Sequence, residues 1–286
     1  MYMERSSTQK KARNLGYSYS IISSPTAKDM LKTRIMPTLL SDGSKLIKGE
    51  SFDSWRGIGS PLQAVRLFNL REVDELVFLD IRATEQNRSP DFELISLLAD
   101  SCFVPFAVGG GVRSVEDARK LLMAGADKVV INSIAYENPD IVPELVKQFG
   151  SQCIVISIDV RSGKNVTIHS GKKETDKNVV EFAKEMERAG AGEILLTSCE
   201  RDGSMKGYDV ELIRSVADAV SIPVIASGGA GSYEDMAEAL TKGNASAIAS
   251  SSMYHFTGQT PLLAKRYLHD HGFPIRLQWH EESPSQ

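Results

Sequence analysis

Residues Pro105–Ser133 read PFAVGGGVRSVEDARKLLMAGADKVVINS, and the same plan returns at Pro223–Ser251 as PVIASGGAGSYEDMAEALTKGNASAIASS. Each copy is an apolar run, a glycine turn, a stretch opened by a serine and two acids, and a second apolar run. That order spells strand, turn, N-capped helix and strand. Gly110 and Gly111 answer to Gly228 and Gly229, Ser114 to Ser232, Glu116 and Asp117 to Glu234 and Asp235, and Gly125 to Gly243, each pair 118 positions apart. Self-similarity at a fixed spacing is an internal duplication. Glu75 in DELVFLD and Glu193 in GEILLTS keep the same spacing, so the repeated unit is larger than one motif.

Working outward, further apolar runs stand at RIMPTLL (34–40), ELVFLDI (75–81), CIVISID (153–159) and EILLTS (193–198), which with PFAVGG, KVVINS, PVIASGG and SAIASS make eight. Amphipathic stretches separate them, as expected when helices cross over between parallel strands. Helix starts are written in Ser60-Pro61, Ser114 with Asp117, Asn138-Pro139 and Ser232 with Asp235; helix stops in Gly125, Gly150, Gly190 and Gly272. Four strand-helix units, doubled, close on themselves. The predicted fold class is therefore α/β, a (β/α)8 TIM barrel built from two duplicated half-barrels over residues 30–277. A doubly wound open sheet is the alternative, and it leaves the duplication without a reason. Residues 1–29 are polar, lack the apolar segment of a secretory signal and read as a disordered leader, with Met30 as a second candidate start; residues 278–286 read as a polar tail.

With 286 residues, 42% of them hydrophobic, the chain is long enough to bury one barrel-sized core. A net charge of −4 gives no global attraction to nucleic acid or to an anionic membrane. No apolar run reaches the roughly 18 residues of a membrane helix. Cys102, Cys153 and Cys199 are odd in number and widely spaced, which suits neither a disulfide framework nor a zinc knuckle. Cytoplasmic residence is the default expectation.

In such a barrel the loops after the strands build the active site, and the last two strands commonly end in a phosphate pocket. Here they end in Ser227-Gly228-Gly229 and Ser250-Ser251-Ser252, and the matching strands of the first half end in Gly109-Gly110-Gly111 and Asn132-Ser133. Glycine turns let backbone N–H groups approach an anion, and serines add hydroxyl donors. Two pockets facing each other across the mouth predict a long ligand with a phosphate at each end. Asp159 closes the fifth strand and is the leading acid or base candidate, with Asp80, Lys48, Thr197, Ser198 and Asp202 of the ERDGS loop nearby. Its counterpart, found by laying TLL on SID, is Leu40; Asp42 follows in the loop and is expected to reach elsewhere.

At the other rim, Arg34, Glu75, Lys128 and Glu193 open the first, second, fourth and sixth strands, two of each sign. Strand parity puts Arg34 on the face of Leu40, toward the barrel interior. Two readings stay open: four ordinary solvent-facing charges, or a closed salt-bridge ring across the floor. Buried pairs stabilise little once desolvation is counted, so a ring asks for another purpose, such as control of a passage.

The signatures DELVFLDI, VGGGVRSVEDARKLLMAGADKVVINS, GSQCIVISID, GAGEILLTS, RDGSMKGYD and VIASGGAG resemble those of the cyclase subunit of imidazole glycerol phosphate synthase, a half-barrel-duplicated lyase of histidine biosynthesis. The resemblance runs from about residue 30 to residue 277. It implies a glutaminase subunit on the N-terminal face of the barrel, ammonia travelling through the barrel, a bisphosphate or nucleotide-like ligand at the mouth, and no cofactor or metal. It further implies phosphate contacts by Gly111, Asn132, Ser133, Asp202, Gly203, Gly229, Ser251 and Ser252. It implies a catalytic acid or base at Asp159, to which Lys48 is added as a catalytic candidate by its place in the first loop, and an ammonia gate of Arg34, Glu75, Lys128 and Glu193. One departure stands out: those cyclases carry a second catalytic Asp in a motif like CLDV, where this chain has Leu40 in TLLS. Relatives altered in this way occur in surface-polysaccharide (lipopolysaccharide) pathways, where the barrel supplies ammonia for converting an acetamido sugar to an acetamidino sugar. The loop between Asp159 and Asn178, shorter than in the histidine enzymes, points the same way.

Overall fold

The computed structural model describes residues 32–161 and 164–277. The expected leader and polar tail lie outside these residues, as do Met30 and Leu31 of the expected barrel.

The chain forms β1 (Arg34–Ser41), β2 (Leu46–Glu50), β3 (Asp53–Gly59), β4 (Leu76–Asp80), β5 (Phe106–Gly109), β6 (Lys128–Ile131), β7 (Ile154–Val160), β8 (Asn165–Ile168), β9 (Lys173–Asn178), β10 (Glu193–Ser198), β11 (Val224–Ser227) and β12 (Ala247–Ser250). Eight of these pair in parallel around a circle: β1 with β4, then β5, β6, β7, β10, β11 and β12, which returns to β1. The sheet is closed, so the (β/α)8 barrel stands and the open-sheet alternative falls. Strand parity sorts the core into two layers. Ile35, Leu39, Phe78, Phe106, Ile156, Ile194 and Ile248 point outward and pack beneath the helices. Met36, Val77, Ala107, Val130, Val155, Leu195, Ile225, Ala247 and Ala249 point inward and fill the barrel axis.

The duplication holds to the residue in three helix pairs. Helix α1 (Pro61–Leu70) lies 118 positions before α6 (Val179–Arg188), α2 (Phe92–Ala99) the same distance before α7 (Val210–Ala217), and α3 (Val115–Met123) before α8 (Tyr233–Thr241). Ser114 and Ser232 cap α3 and α8 by accepting from the amides of Asp117 and Asp235. Gly125, Gly150, Gly190 and Gly272 all take positive φ where their helices stop. Short helices follow the fourth and eighth barrel strands, α4 (Ser133–Glu137) and α9 (Ser252–Phe256), and α5 (Ile141–Phe149) and α10 (Pro261–Asp270) complete the outer ring.

Three expectations need correction. Asn138-Pro139 does not cap the fourth barrel helix: Asn138 ends α4, and α5 begins after Asp140 without a side-chain cap bond. Ser60 stands at the N-cap of α1 but makes no side-chain bond, leaving Pro61 as the start signal. The segments after β1 and β7, read as loops, are antiparallel hairpins, β2–β3 and β8–β9. Their outer strands read DSWRGIG and KETDKN and are largely exposed, so they carry none of the apolar alternation that betrays a strand.

Candidate active site

The mouth encloses a cavity of about 350 Å³. Lys48, Gly111, Asn132, Ser133, Asp159, Asp202, Gly203, Gly229, Ser251 and Ser252 all line it, so the ten residues proposed from sequence for catalysis and phosphate contact share one space. The glycine turns are built alike in both halves. Gly110 and Gly228 have positive φ, and a Cβ at either would strike the backbone carbonyl ending the neighbouring strand, Asp80 or Ser198. Only glycine satisfies both demands.

Leu40 and Asp159 occupy equivalent points. Leu40 pairs with Leu79 and Asp159 with Thr197, and Leu79 and Thr197 are themselves 118 positions apart. Both side chains are buried and both line the cavity. The difference extends along the walls. At matching positions the second half presents Ser157, Asp159 and Thr197, whereas the first presents Thr38, Leu40 and Leu79. At these strand positions one side is polar and the other mostly apolar.

Burial, with the charge of Asp202 nearby, raises the Asp159 carboxyl from 3.8 to about 7, while a hydrogen bond from Asn132 opposes that rise. A carboxyl near neutrality can both give and take a proton, the requirement for general acid–base work. Asp80 is otherwise engaged: it receives the Arg88 guanidinium at 3.0 and 3.3 Å and the amides of Arg82 and Ala83 at 3.0 Å. Asp42 binds the Ser44 and Lys45 amides of its own turn and does not line the cavity.

Lys48 and Asp202, expected in separate roles, form one ion pair at 3.1 Å in which the lysine side chain is only 2% exposed. This pair pins the β2–β3 hairpin to the loop after β10. Ser51 at the hairpin tip adds to it, its amide donating to Asp202 and its hydroxyl to Glu200. The β8–β9 hairpin docks on the opposite half: the Ser170 hydroxyl donates to the Ile81 carbonyl at 2.6 Å and the His169 amide to the Ser133 hydroxyl at 3.0 Å. Each half thus roofs the other. The hairpins bring Phe52, Trp55, His169 and Ser170 to the cavity wall, none of which the sequence reading singled out. The one available signal was the short polar tips, GESFD and HSGKK, each following a barrel strand in the same place of its half.

At the strand-start end, Arg34 bonds Glu75 at 2.7 Å and Glu193 at 3.0 Å, and Lys128 bonds the same two acids at 2.9 and 3.1 Å. Charges alternate around a closed ring, which rules out four independent solvent-facing groups. Glu75 is only 2% exposed. Above the ring lies the apolar axial layer, and above that the cavity. Among the described residues, no group of three or more His, Cys, Asp or Glu side chains is placed to hold a metal ion, and no helix is long and apolar enough to cross a membrane.

Comparison with known proteins adds two findings. The family described as "Histidine biosynthesis protein" matches residues 34–259. The chain is 46% identical over 253 residues to "Imidazole glycerol phosphate synthase subunit HisF" of Caulobacter vibrioides, in strains NA1000 / CB15N and ATCC 19089 alike, a match covering 87% of this chain and 97% of each relative.

Proposed function

The chain belongs to the histidine biosynthesis protein family, as a barrel of the HisF type, and from that premise we propose that it is an ammonia-using lyase subunit. Ammonia released by a glutaminase on the strand-start face passes up the barrel to an anionic ligand at the mouth. The observation that carries this reading is the floor ring. Four charges drawn together at the base of an apolar column contribute little net stability, because desolvation offsets most of their attraction. They suit a passage in which the layer of Met36, Val77, Ala107, Ala247 and Ala249 admits neutral ammonia and rejects ions. Each cation bonds both glutamates, so the ring can open at Lys128 while Arg34 still bridges the two acids.

The floor also supports a partner. Leu70, Phe103 and Met123, at the C-terminal ends of α1 and α3 and just before β5, are 82%, 84% and 80% exposed, and Leu97 of α2 is exposed as well. Their equivalents 118 positions on are Arg188, Ser221, Thr241 and Ser215. Asn69 ties this sector together, donating to the Ser101 carbonyl and accepting from the Phe103 amide. An apolar patch confined to one half suits a single docked subunit.

Leu40 favours a particular acceptor. Imidazole ring closure in the enzymes this chain resembles uses two facing carboxylates, and here one is an alkyl group. We therefore propose that ammonia serves acetamidino-sugar formation in a surface-polysaccharide pathway rather than ring closure on the ribulosyl bisphosphate intermediate. The experiment is turnover of that intermediate by the purified chain with saturating ammonium. Imidazole glycerol phosphate produced at a rate typical of histidine biosynthesis sinks the Leu40 argument. No product, together with stimulation of a co-expressed glutaminase, supports either the sugar route or a third role, an activating scaffold. Ammonia leaking to solvent without an acceptor sugar separates the scaffold from the sugar route.

A further inference from the structure

A continuous hydrogen-bonded chain runs from the tip of the β8–β9 hairpin to the buried carboxylate. The His169 amide donates to Ser133 Oγ at 3.0 Å, Ser133 Oγ donates to Asn132 Oδ1 at 3.1 Å, and Asn132 Nδ2 donates to Asp159 Oδ2 at 3.1 Å and to the Ser157 carbonyl at 3.0 Å. Both ends of the Asn132 amide are therefore spoken for, and its orientation is fixed: the oxygen must face Ser133 and the nitrogen must face Asp159. The hairpin tip is itself anchored, by Ser170 on Ile81 and by the His169 ring against Glu137 at 2.8 Å.

The duplication supplies a control. Helices α4 and α9 match at their first residues, which sets Asn132 against Ser251 and Ser133 against Ser252. In that second arrangement the hydroxyl of Ser252 is buried with no partner among the described residues, and the neighbouring strand β1 carries Leu40 at the position of Asp159, a side chain with no hydrogen bond to receive. The β2–β3 tip docks instead on Glu200 and Asp202. The chain of bonds crosses from the first half to the second and exists only at the seam whose following strand keeps a carboxylate.

We propose that Asn132 is a positioning residue for Asp159, and that Ser133 locks it so that the docked state of the second hairpin sets the orientation and charge state of the carboxylate. Asn132 and Ser133 then act through Asp159 as well as through any anion they touch. This assignment holds whichever acceptor the mouth takes, because it concerns the carboxylate and not the reaction. The other ionisable groups facing Asp159 are Asp202, itself paired to Lys48, and the Cys199 thiol with Arg161 beside it; none belongs to the chain of bonds.

The test is a pH titration of the Asp159 carboxyl by carbon NMR on the full chain labelled at aspartate, the resonance assigned by its absence in Asp159→Asn. A donor to the ionised form lowers a carboxyl pKa, so its loss raises it. Asn132→Ala is expected to move the midpoint up by about one pH unit, the scale of one hydrogen bond to a charged group. Ser133→Ala, which frees Asn132 to rotate, is expected to move it in the same direction by less. Ser133→Thr keeps the hydroxyl and is expected to titrate like the parent. A midpoint unmoved in both alanine variants overturns the proposal, as does a shift in Ser133→Thr equal to that in Ser133→Ala. If Asn132→Ala does not fold, the two Ser133 variants decide.

Discussion

The two halves of this barrel share nearly every feature that builds a binding frame and differ where a proton could be moved. Paired helices, glycine turns and serine caps recur 118 positions apart, and the terminal short helices and roofing hairpins recur one or two residues beyond that spacing. Yet at matching positions the second half meets the cavity with Ser157, Asp159 and Thr197, and the first with Thr38, Leu40 and Leu79. Backbone devices are held by the fold itself, since a side chain at Gly110 or Gly228 would collide with the next strand. Cavity side chains carry no such obligation: Leu40 fills its space as well as an acid would. Divergence has run along the line between what folding demands and what chemistry demands.

The largest effect should come from making the halves alike. Leu40→Asp places a carboxylate opposite Asp159, and one positioned acid or base is worth about 100- to 10,000-fold in rate. Ammonium-dependent formation of imidazole glycerol phosphate is expected to rise by at least about 100-fold over the parent chain. An unchanged rate would place the difference between this barrel and its relatives somewhere other than Leu40.

That such an experiment can be framed at all reflects how legible the barrel was. The apolar runs and the 118-residue echo gave eight strands, their order and the closure, because a buried parallel strand is an uninterrupted hydrophobic word and a capped helix has a spelled beginning. The hairpins escaped because exposed edge strands are written in the same polar letters as loops. Their absence from the reading hid Phe52, Trp55 and His169, and it left Lys48 and Asp202 as separate candidates when a hairpin folding across the mouth makes them one pair. The Asn132 bond to Asp159 was beyond reach for another reason: side-chain hydrogen bonding across 27 positions leaves no trace in periodicity.

A second way to probe the asymmetry is to neutralise the surviving acid. The Asp159 carboxyl is raised from 3.8 to about 7 in the fold. A raised acid contributes stability that is fully present below about pH 4 and lost as pH climbs through 7, because the folded state must then shed a proton it holds tightly. Asp159→Asn has no proton to lose. Relative to the parent it should gain up to about 4 kcal/mol between pH 4 and pH 8.5, read by denaturant unfolding at both. Parallel stability at both pH values would mean that the carboxylate is solvated and that the polar wall is not a tuned acid.

The floor offers a comparison of the same kind at smaller scale. Lys128→Ala opens the ring to a three-membered chain and leaves the mouth untouched. With the glutaminase bound, it should lower glutamine-supported turnover at least about fivefold more than ammonium-supported turnover, a differential near 1 kcal/mol. Equal losses would reduce the ring to a structural clamp.

The last comparison tests the halves directly against each other. Phe103 is the most exposed large apolar side chain of the floor patch, and Ser221 stands in its place in the other half. Interface anchors lose about 1 kcal/mol or more when truncated, while residues outside the contact lose almost nothing. Phe103→Ser should weaken glutaminase binding about five- to thirtyfold by titration calorimetry, and Ser221→Phe should leave it unchanged. A reversal, with Ser221→Phe weakening binding and Phe103→Ser neutral, would move the partner to the second half. The patch would then be surface that the first half keeps without using it to bind. Equal weakening by both would centre the partner on the ring, so that the duplication is read symmetrically below the barrel and asymmetrically above it.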